Sequence, residues 1–111
     1  MEKEIFVLFA SKELKNEFEL LRTGDFADKQ LYLQVLKAID NIKENPFCGI
    51  KIPKSIWPLV YLKKYDITNL WKYNLPRGWR LIYTIESDEI KVMGIVLEWF
   101  SHKGYERRFN Y

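Results

Sequence analysis

One cysteine and one histidine among 111 residues exclude several kinds of protein. Cys48 alone closes no disulfide within the chain, and a single Cys with a single His is too few for a zinc site. Long apolar runs are also missing. The longest, Ile5 to Ala10, covers six residues, against the roughly 20 that a membrane-spanning helix needs. Glu2, Lys3 and Glu4 precede that run, which is too short for the apolar centre of a secretory signal, so the expected location is the cytoplasm, with no membrane partner. Repeats, low-complexity tracts and linkers are lacking as well, and residues 1–111 read as one domain. No Gly-rich phosphate loop, metal motif or Ser/His/Asp arrangement stands out, and neither a metal nor a cofactor is expected.

What is present is apolar, aromatic and unevenly charged. A content of 48% hydrophobic and 16% aromatic residues marks a globular chain rather than a disordered one. The net charge of +3 hides an asymmetry: residues 51–80 hold seven Lys/Arg against one Asp/Glu, while 1–50 hold seven against nine and 81–111 four against five. A cationic middle third draws phosphates or an acidic protein surface. On charge alone, a solvated lysine-rich face is slightly the better account.

That middle third contains the stretch around which the chain is organised, Leu70 to Ile85. It reads as two strands joined at Pro76-Arg77-Gly78. Trp71, Tyr73 and Leu75 recur at period two on the first, and Trp79, Leu81, Tyr83 and Ile85 on the second, giving one apolar face that requires a core. Strand alternation then turns Lys72 and Arg80 to the opposite face, with Arg77 at the turn.

The remaining segments supply partners for that face. Ile5 to Phe9 is a strand. Ser11 caps a first helix running to about Arg22, in which Leu14, Phe18 and Leu21 form a stripe. Asp28, or less favourably Asp25, caps a second helix carrying Leu31, Val35, Ala38, Ile39 and Ile42, and Asn45-Pro46 stops it. The helical hairpin belongs on the apolar face of the sheet, an α+β arrangement. Residues 46–58 are turn-like and bring Lys51 and Lys54. Tyr61 to Tyr65 reads as a short strand or an aromatic-pinned loop. Ile90 to Trp99 is the third meander strand, with Gly94 as a bulge position, and a polar, aromatic tail follows. Pairing of residues 79–86 with 90–99 brings Arg77, Arg80, His102 and Tyr105 to one end of the sheet.

Metal-free RNA cleavage needs a group to take the 2′-OH proton, cations for the phosphate and a donor for the departing oxygen. Imidazole takes or gives a proton near neutrality, and His102 is the one imidazole. Arg80 offers the planar fork that matches phosphate oxygens. Tyr105 can orient a phosphate or stack on a base, while Lys51, Lys54, Arg77 and Lys103 can hold flanking phosphates. The plainer alternatives are an exposed His102, an Arg80 paired with Glu98 or Glu86, and a Tyr105 that merely packs the tail.

The segments Leu70 to Tyr83 and Glu98 to Phe109, with their Trp79-Arg80-Leu81-x-Tyr83 strand and His102-Lys103-x-Tyr105 tail, resemble the RelE/ParE family of type II toxins, in particular a RelE-like branch. The resemblance implies a single β-α-α-β-β-β domain with a helical hairpin on one face of an antiparallel meander sheet. It further implies an endoribonuclease that cuts mRNA on the ribosome by metal-independent 2′-OH attack and is silenced by a co-encoded antitoxin protein. By the same resemblance Arg80 matches the strand arginine at the scissile phosphate, His102 and Lys103 stand where relatives place a cationic residue, and Tyr105 matches the tail tyrosine. Lys51 and Lys54 correspond loosely to the basic loop. Asp66, Glu98 and Lys54 all remain open as the partner base. The alternatives are a ParE-like toxin that binds a protein target, or an inactive binding module of the same fold.

Overall fold

The computed structural model describes residues 3–110. Its elements begin with β1 (Glu4–Phe9), α1 (Lys12–Leu21) and α2 (Phe26–Glu44), followed by β2 (Ile50–Lys51) and α3 (Leu59–Lys64). The strands β3 (Trp71–Asn74), β4 (Arg80–Ser87) and β5 (Lys91–Phe100) lead into α4 (His102–Phe109).

The helix starts follow from side-chain chemistry. Ser11 accepts a hydrogen bond from the Leu14 amide at 3.0 Å, satisfying a donor that has no partner inside the helix. At α2 the cap is Asp25 rather than Asp28. Asp25 accepts from the Asp28 amide at 2.8 Å, and the Asp25 amide in turn donates to Asp28 Oδ2 at 3.2 Å. This reciprocal box uses both aspartates and starts the helix earlier than an Asp28 cap would.

The sheet order is β1-β5-β4-β3-β2. The meander β3-β4-β5 is antiparallel as expected, but β1 lies parallel to β5, so the sheet is mixed rather than purely antiparallel. On one face, Phe18 of α1 and Leu31, Val35, Ala38 and Ile42 of α2 pack on Leu75, Leu81, Tyr83, Ile85 and Val96. Gly94 is no bulge, since it pairs regularly with Ile85. A Cβ there would meet Ile42 Cγ2 at 2.9 Å, so it gives α2 room to approach. The bulge lies where the register jumps between Ile82 and Tyr83, making Leu97 the extra residue on β5.

The opposite face is covered too, and helices on one face only is not what the fold adopts. Tyr61 of α3 and Tyr105 and Phe109 of α4 pack with Ile52, Leu70, Ile82 and Leu97. The stretch Tyr61–Tyr65, expected as strand or loop, is mostly the short helix α3, and the tail is helical. Both helices pin β5 through one carboxylate. Glu98 accepts from Tyr61 Oη at 2.5 Å, and from Arg108 Nη2 and Nε at 2.6 and 3.1 Å. Among the described residues no helix is long and apolar enough to cross a membrane.

Candidate functional site

The site grows from the corner where β4 begins. Arg80 pairs with Asn74 on β3 and Phe100 on β5, and Lys72 pairs with Ile82. Strand alternation places Lys72 and Arg80 on the face covered by α3 and α4. There α4 lays Tyr105 between them. Its ring is buried, with Lys72 Nζ 5.1 Å and Arg80 Cζ 5.4 Å from the centroid. Lys72 Nζ also donates to Tyr105 Oη at 3.1 Å. Attraction to the ring orients both cations without cancelling their charge.

Neither cation shares a carboxylate. Among the described residues the ion pairs are His102–Glu106 and Arg108–Glu98. Glu98, one alternative partner of Arg80, is committed to Arg108 and Tyr61. Glu86, the other, lies six residues along β4, about 20 Å away. Arg80 Nη1 donates to the Trp79 carbonyl at 3.1 Å, and its buried Nε has no hydrogen-bond partner. The guanidinium thus keeps a charge that no carboxylate among the described residues offsets, with one of its donors already given to the Trp79 carbonyl.

His102 is the first residue of α4, capped by Ser101, whose Oγ accepts from the Gly104 amide at 3.3 Å. It reaches the Arg80 end of the sheet because the β3–β4 turn passes against it. Gly78 has φ +80, and a Cβ there would stand 3.1 Å from His102 Cβ. A side chain at Gly78 would be strained in its backbone and crowd the histidine. His102 Nε2 lies 2.5 Å from Glu106 Oε1, one helical turn on, with side chains 60% and 45% exposed. A carboxylate on one ring nitrogen fixes the orientation of the imidazole and leaves the other nitrogen to act.

Arg80, Tyr105 and His102 therefore gather at one sheet end, with Arg77 exposed at the adjoining turn in a left-handed conformation of φ 60. Lys103 is exposed in the first turn of α4. Lys54 is exposed in a 3-10 turn, Lys54–Ile56, and Lys51 is exposed on β2. The Lys51 partner, Trp71, packs on the α1–α2 side, so Lys51 does not share the face of Lys72 and Arg80. Of the three candidate bases, Glu98 is taken up by Tyr61 and Arg108, while Asp66 and Lys54 are exposed. Sequence reasoning put Lys72 on the right face but gave it no role, and it missed Glu106. The i, i+4 spacing of His102 and Glu106 is the signal for that pair, legible only if the tail is taken as a helix.

Among the described residues no three His, Cys, Asp or Glu side chains gather as metal ligands. What the corner offers is two unneutralised cations, a phenol and an oriented imidazole beside an exposed arginine, a set suited to a phosphodiester. Compared with protein-family models, curated proteins and solved structures, the chain returns no match.

Proposed function

We propose that this chain is a RelE-like toxin of the RelE/ParE type, a ribosome-dependent mRNA endonuclease held in check by a co-encoded antitoxin and acting in the cytoplasm. One observation carries the reading: Arg80 and Lys72 flank a buried phenol, unpaired with acids, at the same sheet end as an imidazole fixed by a carboxylate. The order strand, two helices, then an antiparallel meander supports the RelE-like topology, with α3 and α4 as an added layer.

In this reading the 2′-oxygen attacks the adjacent phosphorus, the bond to the 5′-oxygen breaks, and a 2′,3′-cyclic phosphate and a 5′-hydroxyl result. Arg80 and Lys72 stabilise charge on the phosphoryl oxygens, and Tyr105 holds them in place. Glu106 accepts the Nε2 proton of His102, so Nδ1 takes the proton from the 2′-OH and the resulting imidazolium gives it to the departing 5′-oxygen. Arg77, Lys54 and Lys103 attract flanking phosphates, while Lys51 contributes only long-range attraction. The reaction routes no step through a metal.

The ParE-like or binding-only reading has its own support. Phe6 and Leu8 on edge strand β1 are 40% and 46% exposed, a surface suited to capturing a protein partner. Primer extension on mRNA in a translation extract separates the two. Cuts in phase with codons support the nuclease. Intact message, with DNA supercoiling activity lost instead, supports the protein-binding toxin.

A further inference from the structure

A second feature lies around the corner from the cation pair. Phe26, the first residue of α2, is 75% exposed. Gln30 and Gln34 follow it at four-residue steps, so the three share one stripe of the helix. Arg77 and Trp79 of the β3–β4 turn face that stripe across a cleft of about 160 Å³, with buried Leu31 also in its lining. An exposed phenyl ring at the mouth of an apolar cleft normally works against solubility, and here it comes with two amides and a guanidinium.

The chemistry of the lining selects the occupant. Aromatic faces stack on nucleobases whatever their identity, and glutamine amides pair with base edges, adenine best of all. Asp28 also lines the cleft, which disfavours a phosphate inside it. A neutral planar ring meets no such penalty. Trp79 and Arg80 are consecutive residues on opposite faces of the sheet, so a strand of RNA folded over this turn meets the cleft on one side and the cations on the other.

We propose that this cleft binds a nucleobase of the RNA strand, next to the phosphate held at Arg80 and Lys72. The proposal rests on the nuclease reading for its setting, but its test does not require cleavage. The probe is the adenine deoxytrinucleotide, which has no 2′-OH and is not cut, compared with the same backbone bearing abasic sites. Side-chain amide resonances of Gln30 and Gln34 are followed by NMR. Shifts with the adenine strand alone, and about tenfold weaker binding in Phe26→Ala, are expected from the loss of one stacking face. Equal shifts with the abasic strand, or unchanged affinity in Phe26→Ala, overturn the proposal. Phe26 is exposed enough that its truncation leaves the fold in place. Nucleobase binding without mRNA cutting by the wild-type protein discards the nuclease and keeps the cleft. Cutting without nucleobase-dependent shifts does the reverse.

Discussion

Tyr105 does two separable jobs, and the pair of substitutions that divides them is informative. Its ring fills a buried position next to Phe100 and Phe109, while its hydroxyl accepts from Lys72. Tyr105→Phe keeps the packing and loses the anchor on the ammonium. The expected result is an unchanged melting temperature within a few degrees and cleavage slower by about tenfold, the scale of one misplaced charge contact. Tyr105→Ala instead costs about 3–5 kcal/mol of stability, measured by urea denaturation. Glu106→Gln keeps the size of its side chain and withdraws the charge that orients His102. Cleavage should fall by about tenfold with stability changed by under 0.5 kcal/mol, since an exposed i, i+4 pair contributes little to folding. At this scale the orientation of Arg80 was legible, because a half-buried Trp79 packed on the helical side forces its neighbour to the other face. The partner of His102 was not, because that contact exists only once the tail is coiled.

Between elements, the decisive interaction is the carboxylate of Glu98 under α3 and α4. Burial pushes the Tyr61 hydroxyl well above its ordinary value, and the hydrogen bond to Glu98 adds to that. Tyr83 is raised in the same direction, chiefly by burial. A raised folded-state value means the folded protein keeps a proton that the unfolded chain releases near the usual tyrosine value of about 10. Their stabilising share is complete below that pH and is lost as pH rises above it. Each tyrosine steepens the alkaline decline by up to about 1.4 kcal/mol per pH unit. Tyr61→Phe should be less stable at neutral pH by about 1–3 kcal/mol, because Glu98 loses a donor, yet show a shallower alkaline slope in denaturation titrations. Gly94→Ala should cost about 1–3 kcal/mol by forcing Ile42 and α2 outward, read in the same titrations. The layer that Tyr61 belongs to escaped sequence reasoning for a physical reason. Helix α3 has six residues and α4 eight, too short to impose a periodic stripe, and Pro58 before α3 suggested a loop. A sign of it was nonetheless present: Leu81 to Ile85 are all buried, the pattern of a strand covered on both faces.

The whole molecule is a mixed sheet between two helical layers, with the cationic middle third of the chain distributed over more than one surface. The hairpin, the first two helices and the meander could be read from periodicity because each buries one clear stripe. The parallel placement of β1 beside β5 could not, because it depends on a crossover whose ends are far apart in sequence. The separation of Lys51 from Arg80 follows from the register of a two-residue strand, which charge counting does not reveal. What survives at this scale is the convergence at one sheet end of side chains from β3, β4 and α4. The most direct test is the single-turnover rate of mRNA cutting in a translation extract for wild type against Arg80→Ala, with folding of both verified by circular dichroism. The account predicts codon-phased cuts for the wild type and a loss of at least about 100-fold in the variant. Equal rates in the two proteins, or no cutting by the wild type, would contradict it.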